Sequence, residues 1–317
     1  MAQPDRILDS FVALGSWPSP VRDLSDLRQG LWIKDDGAIH STYGGNKVRK
    51  LEYLLADAKE EIVTFGAMGS HHALATAVHG SRLSHGVSVV THPRHHSIHA
   101  EQVLLATMSI ATMHPCDSHE SAHECLASLG EGRTVIPAGG SSPVGALGFV
   151  RAAIELGEQI SRGELPAPRR IYVAAGTAGT LAGLAVGLPM AGLDTTVIGV
   201  RVVPEAWLRL ADVELLCRQT ADLLGVTPGA WELDDRWLGD GYSVETSEGV
   251  EAVMKAGELG LNLETCYTGK AMAAAMHQVD GQDLFWQTHN QVPIGPLVPS
   301  TASLDPEIWR WDGSDAG

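Results

Sequence analysis

Short apolar runs bounded by polar or glycine-rich turns recur along the chain at 31–34, 62–65, 87–91, 134–137, 171–174, 196–202 and 283–288. Continuous rather than alternating, and four to seven residues long, they predict strands buried on both faces. Between them apolar positions return every three to four residues. Leu51, Leu54, Leu55 and Ala58 share one face of a helix over about 48–59. The same period predicts helices over 73–83, about 100–106, 145–162, 181–191, about 205–224, 245–260 and 271–279. Strands alternating with helices imply an α/β protein whose parallel sheets carry helices on both faces. Residues 163–170, with Gly163, Pro166 and Pro168, make the best linker. The polar, histidine-rich stretch 112–124 and the segment 225–241 are expected to be irregular, and the tail beyond Pro296 to pack loosely.

Length refines this picture. At 317 residues the chain suits two domains or one large one, and 44% hydrophobic residues with 19% charged suffice for a substantial core. A net charge of −16 argues against nucleic-acid or anionic-membrane partners. Cys116, Cys125, Cys217 and Cys266 lack Cys-x-x-Cys spacing, as expected for reduced thiols of a cytoplasmic protein. Residues 1–10 carry Asp5, Arg6 and Asp9 and no apolar stretch, so no secretory signal is expected. Residues 171–193 hold no charge, but Gly176, Gly179, Gly183, Gly187, Pro189 and Gly192 argue for strand, loop and buried helix over a membrane span.

Two stretches carry candidate chemistry. Gly44-Gly45-Asn46-Lys47 ends a polar turn where the helix of Leu51 and Leu54 begins. Lys47 therefore sits among unpaired N–H groups at the positive end of a helix, which favours a free amine. Ala174-Ala175-Gly176-Thr177-Ala178-Gly179-Thr180 follows a strand and opens a helix. Its glycines admit an anion to the helix start, which makes it a candidate phosphate cradle. It has neither the lysine of a P-loop nor the three-glycine spacing of a dinucleotide site, so a nicotinamide dehydrogenase is weakly supported. Histidines are numerous (His95, His96, His99, His114, and His119 with His123 at helical spacing), but no carboxylate or cysteine completes a set, and no metal is expected.

The run Gly44-Gly45-Asn46-Lys47-Val48-Arg49-Lys50-Leu51-Glu52-Tyr53-Leu54 resembles the signature of the aminocyclopropane-carboxylate deaminase / D-cysteine desulfhydrase family. These are fold-type-II enzymes, of tryptophan synthase β-like architecture, that depend on pyridoxal phosphate. Four further segments extend the resemblance over about 17–295. It implies two parallel-sheet domains, 1–49 plus 162–317 and 50–161, with the cofactor in the cleft between them. It also implies that Lys47 carries the cofactor as a Schiff base and that Asn46 and Gly176 to Thr180 bind cofactor; since Lys47 alone combines the turn with a helix start, Lys50→Ala is expected to keep both covalent link and turnover. Ser70, Tyr242 and Tyr267 are implied as catalytic groups, with Ser70, His72, Thr268 and His289 beside the substrate.

Departures from the family pattern carry information. Thr177 and Ala178 stand for a serine and a glycine, and Ala178 crowds a phosphate if its φ is positive. His71 replaces the asparagine that bonds the cofactor's phenolic oxygen; an imidazole there is bulkier and titrates near neutrality. Thr268 and Thr288 match the desulfhydrase pattern over the deaminase pattern of glutamate and leucine, though His289-Asn290 replaces Gly-Gly. A hydroxyl facing the pyridine nitrogen leaves it nearer neutral than a carboxylate does. The expectation is β-elimination from D-cysteine or a related β-substituted alanine, giving a keto acid and ammonia. Ring-opening deamination of aminocyclopropane carboxylate is second, and a non-catalytic pyridoxal phosphate or amino-acid binding protein third. A cytoplasmic homodimer is expected.

Overall fold

The computed structural model describes residues 3–94, 96–279, 281–300 and Leu304. His95 and the rest of the tail beyond residue 300 lie outside the described residues. Among the described residues, ten strands form two sheets. They are β1 Val21–Asp23, β2 Leu31–Asp35, β3 Glu61–Ala67, β4 Gly86–His92, β5 Thr112–Pro115, β6 Thr134–Ile136, β7 Arg170–Ala175, β8 Thr196–Arg201, β9 Trp231–Asp234 and β10 Asp283–Gln287. The larger sheet has the order β1-β2-β10-β7-β8-β9 and the smaller β5-β4-β3-β6. Every pairing is parallel except β1 on β2. Phe285 lies in register with Ile33 and Tyr172 at the centre of the larger sheet, and all three are buried, as the continuous apolar runs require.

The helices are α1 Gln3–Leu8, α2 Lys47–Leu54, α3 His71–Arg82, α4 Ile98–Met108, α5 His119–Leu129, α6 Pro143–Ser161, α7 Gly179–Met190, α8 Leu210–Leu224, α9 Ser247–Glu258 and α10 Thr268–Met276. The uncharged run from Ile171 divides into β7, a loop and α7, and no helix among the described residues is long and apolar enough to cross a membrane. Helix α7 is buried from Gly179 to Leu188. Its glycines let α6 approach closely: a Cβ at Gly187 would stand 2.7 Å from the Ala153 methyl. Phe149, Ala152, Ala153 and Leu156 of α6 thus join Val173, Leu181 and Trp286 in one core.

Two expected loops are ordered. Residues 112–115 form β5 alongside Ser88–Thr91, and α5 follows behind a reciprocal Ser118/Ser121 cap. Helix α5 packs through Ala122, Leu126 and Leu129 and also through imidazoles: the His119 and His123 rings lie 5.3 and 4.7 Å from that of Phe65. Within 225–241, Trp231–Asp234 adds β9 to the sheet edge, with Trp231 and Leu233 packed on the core.

A buried ionic cluster locks α2 against the larger sheet. Arg49, 3% exposed, donates to both oxygens of Asp36 (2.9 and 2.8 Å) and to Glu155 (3.0 and 3.1 Å), while Lys34 reaches Glu155 at 2.6 Å. Burial raises the pKa of Glu155, but the Arg49 and Lys34 cations outweigh it and hold the carboxyl at about 2, below its usual 4.5. A depressed carboxylate contributes stability that is full above its unfolded pKa and lost as pH falls through the folded one. Acid titration of the unfolding free energy is therefore expected to show a loss of about 3 kcal/mol between about pH 4.5 and 2, absent in Glu155→Gln. Equal acid slopes for the two proteins would refute this.

Candidate active site

A cavity of about 450 Å³ is lined from both sheets, within the usual range for a small-molecule site. Lys47, Ser70, His71, His72, Gly176 to Thr180, Tyr242, Tyr267, Thr268, Thr288 and His289 all line it, together with Asn46. The structure thus brings every expected site residue to one place.

The Lys47 turn is held from below. Gly45 has φ +88°, where a Cβ would press on the Thr288 carbonyl oxygen at 2.8 Å. Asn46 N–H donates to that same oxygen (3.1 Å), and Gly44 N–H to Asn290 Oδ1 (2.7 Å). Asn290 also bonds Val292 through both its amide atoms. The residue that replaces a family glycine therefore fastens the 288–292 segment to the lysine turn. Asn46 occupies the N-cap of α2 yet makes no side-chain cap. Its Oδ1 accepts from Lys47 Nζ (3.0 Å) and its Nδ2 donates to Thr180 Oγ1 (3.0 Å), so the amide bridges the lysine to the glycine loop. Burial pulls the Lys47 pKa down to about 8, with the Glu264 carboxylate acting weakly the other way. Desolvation, rather than the helix dipole expected from the sequence, is the leading cause.

The glycine loop presents the N-terminus of α7 to the cavity. Ser141 Oγ accepts from Gly179 N–H (3.1 Å) and lies 2.7 Å from Thr177 Oγ1. Lys50, 2% exposed, donates to Ser141 Oγ (3.2 Å) and Gly139 O (3.1 Å). A Cβ at Gly179 would stand 2.8 Å from Lys50 Nζ. Ala178 has φ +55°, so the replaced glycine leaves a left-handed alanine at the N-cap. Helix N–H groups, hydroxyls and the Lys50 amine converge here, a donor set that fits a phosphate, while the Ala178 methyl has the positive φ that crowds one. Lys50 was not legible as part of it, since a basic residue three after Lys47 lies on the same helix face as many solvated lysines.

Ser70 caps α3, accepting from Ala73 N–H at 3.4 Å. His72 shares a hydrogen bond with Thr64 Oγ1 (2.9 Å), whose hydroxyl donates to Ile136 O. His71 Nδ1 bonds the Tyr43 hydroxyl and its Nε2 lies 2.7 Å from His99 Nε2. Burial pushes the pKa values of His71, His72 and His289 down, those of His71 and His72 well below the ordinary imidazole value, so the neutral rings dominate at pH 7. The Tyr242 and Tyr267 hydroxyls meet at 2.9 Å, and burial raises both phenols, which stay protonated.

Glu264 was not singled out from the sequence. Its carboxylate accepts from the N–H groups of Cys266 (2.8 Å), Tyr267 (3.0 Å) and Thr268 (2.6 Å) and from the Thr268 hydroxyl (2.9 Å), capping α10. It is the one acidic side chain among the described lining residues. Arg94 also lines the cavity, its guanidinium donating to Ser243 Oγ (2.6 Å) with its Cζ 5.4 Å from the centre of the Tyr242 ring.

Two parallel sheets, a desolvated lysine at a helix start, and an anion cradle across the same cavity define a fold-type-II pyridoxal phosphate enzyme. Comparison with known proteins agrees. Residues 12–284 match the family model described as pyridoxal-phosphate dependent enzyme, and the chain belongs to that family. Within it, the chain is 34% identical over 292 residues to D-cysteine desulfhydrase of Serratia proteamaculans (strain 568), covering 84% of this chain and 88% of that one. It is 35% identical, with the same coverage, to D-cysteine desulfhydrase of Salmonella paratyphi B. A crystal structure of an ACC deaminase homologue superposes with a TM-score of 0.78 at 29% identity, covering 91% of this chain and 95% of that one. Threonine deaminase isoform 2 of Solanum lycopersicum shares the fold, with a TM-score of 0.66 at 16% identity.

Proposed function

We propose that this protein catalyses β-elimination from a small β-substituted amino acid, D-cysteine first among candidates, to a keto acid, ammonia and the departing thiol. The observation that carries the reading is the Lys47–Asn46–Thr180 bridge, which joins the lysine amine to the phosphate cradle in one cavity. The identity to D-cysteine desulfhydrases and the threonine pair, Thr268 and Thr288, support the substrate class.

We assign Lys47 as the cofactor's covalent anchor and, when freed, as the base that takes the Cα proton at Nζ. With a pKa of about 8, a useful share of that amine is unprotonated near neutrality. Gly176, Thr177, Ala178, Gly179 and Thr180 would hold the phosphate, with Lys50 and Ser141 as additional donors. When bound, pyridoxal phosphate supplies an electron sink for the Cα carbanion. Asn46 and Thr288 would flank it, with His71 in the lining beside them. The Tyr242–Tyr267 hydroxyl pair would bind the substrate carboxylate or pass a proton, and Ser70, His72, Thr268 and His289 would border the substrate. Proton loss at Cα and departure of the β-sulfur as thiolate leave an enamine, which water converts to keto acid and ammonia.

The domains are proposed as 1–49 with 162–317, and 50–161. Each sheet drawing strands from one of these sets supports this, while α6 contributes to the larger core. A cytoplasmic homodimer is the setting that the family resemblance suggests, and the four free cysteines fit a reducing compartment.

One reading competes. Ring opening of aminocyclopropane carboxylate is favoured by the presence of a carboxylate, Glu264, bonded to Thr268. Its oxygens are already engaged by four donors at the start of α10, which favours elimination. The test is stoichiometry. With D-cysteine, purified holoenzyme should release hydrogen sulfide and pyruvate one for one; binding without release would leave only an amino-acid binding protein.

A further inference from the structure

His71, His99 and His289 come from three separate places, the first turn of α3, the first turn of α4 and the segment after β10, yet meet on one side of the cavity. Their donor nitrogens all lie within 4.8 Å of one another. The ring centres of His71 stand 4.9 Å from His99 and 4.8 Å from His289, and the latter two are 5.8 Å apart. No carboxylate or thiol belongs to the group. We propose that these three histidines form a site for a borderline divalent transition-metal ion of the zinc class, with one coordination position open towards the cavity.

The hydrogen-bond order around His71 supports this independently. The Tyr43 hydroxyl lies 3.3 Å from the His71 carbonyl oxygen, to which it donates, and it also contacts His71 Nδ1. A hydroxyl has one proton, so with that proton on the carbonyl it accepts from Nδ1–H. The tautomer with Nδ1–H towards Tyr43 leaves the Nε2 lone pair facing His99, and it is the one that metal binding selects. A second polar group orienting the remote nitrogen is how proteins hold metal-ligating imidazoles. The 2.7 Å approach of the two Nε2 atoms needs one proton between them. A cation replaces it once the His99 proton moves to Nδ1, so each ring stays neutral and no proton is lost overall. Tetrahedral Zn²⁺ with bonds of about 2.0–2.1 Å places its ligand nitrogens roughly 3.4 Å apart. The observed nitrogens bracket that spacing, and small side-chain rotations reach it. His71 and His289 line the cavity, while His99 is exposed on the outside, so the remaining ligand position faces inward, where a thiolate, hydroxyl or water would complete the shell.

The site stands whether or not elimination is the reaction, and its test does not use turnover. Untagged holoenzyme is stripped with a chelator, dialysed and titrated with ZnCl₂, metal content being read by elemental analysis and affinity by competition with a chromophoric chelator. One Zn²⁺ per chain is expected, and Co²⁺ in its place should give the intense visible bands of a tetrahedral site. His99→Ala, at an exposed position, should weaken binding at least about 100-fold while leaving the cofactor's absorption intact; Tyr43→Phe should weaken it about 10–100-fold. Absence of stoichiometric binding, or wild-type affinity in either variant, overturns the assignment.

Discussion

Lys47→Ala is expected to lower keto-acid formation by about 10³–10⁴-fold and to abolish the covalent link to pyridoxal phosphate. Two proposed roles fall on this one amine. Its Nζ bonds Asn46 Oδ1, which aims it along the bridge to Thr180, and burial keeps its pKa near 8. Alanine removes both the proposed anchor and the proposed base while leaving the loop around Gly179 and the Lys50 amine to hold phosphate. Cofactor should therefore still bind, reversibly, and small added amines should restore part of the rate. The two other buried lysines near the cavity act differently. Lys50→Ala should loosen the cofactor without losing the covalent link, because Nζ of Lys50 bonds Gly139 O and Ser141 Oγ beside the cradle. Lys270 donates to Leu238 O at 2.7 Å and serves the packing of α10. Borohydride reduction followed by peptide mapping should label Lys47; a label on Lys50 or Lys270 would remove it from its role.

The second large effect is expected at Glu264. Its carboxylate collects three N–H donors and the Thr268 hydroxyl where the positive end of α10 begins. Charge-assisted bonds of this kind are about twice as strong as neutral ones. Glu264→Gln keeps the shape but turns an NH₂ group towards donors, leaving at least one buried N–H unpaired. A loss of about 3 kcal/mol of unfolding free energy is expected. Tyr267 stands at the N-cap of the same helix with its hydroxyl on Tyr242, so kcat should fall at least about tenfold as the pair shifts. Denaturant midpoints and steady-state rates measure the two; full stability with unchanged kcat would show that the carboxylate is dispensable.

The strands and the Lys47 turn were legible because each rests on local chemistry: uninterrupted apolar runs, and a Gly-Gly-Asn turn before a helical period. The parallel α/β architecture followed from their alternation. What stayed hidden depends on partners distant in sequence. Glu264 acts through a cap that exists only once α10 starts at Thr268, and Lys50 matters only because Gly139 and Ser141 return beside α2. Helix α5 escaped because its short apolar set, Ala122, Leu126 and Leu129, shares the packing on Phe65 with His119 and His123, which read as polar. The effect of Ala178 hinged on a dihedral angle that the residue type does not disclose, and the angle is left-handed. Asn290, which stands where the family pattern has glycine, bonds Gly44 and Val292, partners the sequence does not disclose.

The central claim is elimination driven from Lys47 with a departing β-substituent. It is tested most directly by keto-acid formation, side by side, from D-cysteine, L-cysteine, cysteate, D-serine and aminocyclopropane carboxylate. A thiolate or sulfite leaves readily, whereas the cyclopropane carbon needs a strongly electron-withdrawing ring, and Thr268 and Thr288 stand where the deaminase pattern has glutamate and leucine. The account predicts fastest turnover with D-cysteine or another β-substituted alanine, and with the cyclopropane at least about 100-fold slower in kcat/KM, a difference of some 2.7 kcal/mol in barrier. Faster turnover of aminocyclopropane carboxylate than of every β-substituted alanine would contradict it.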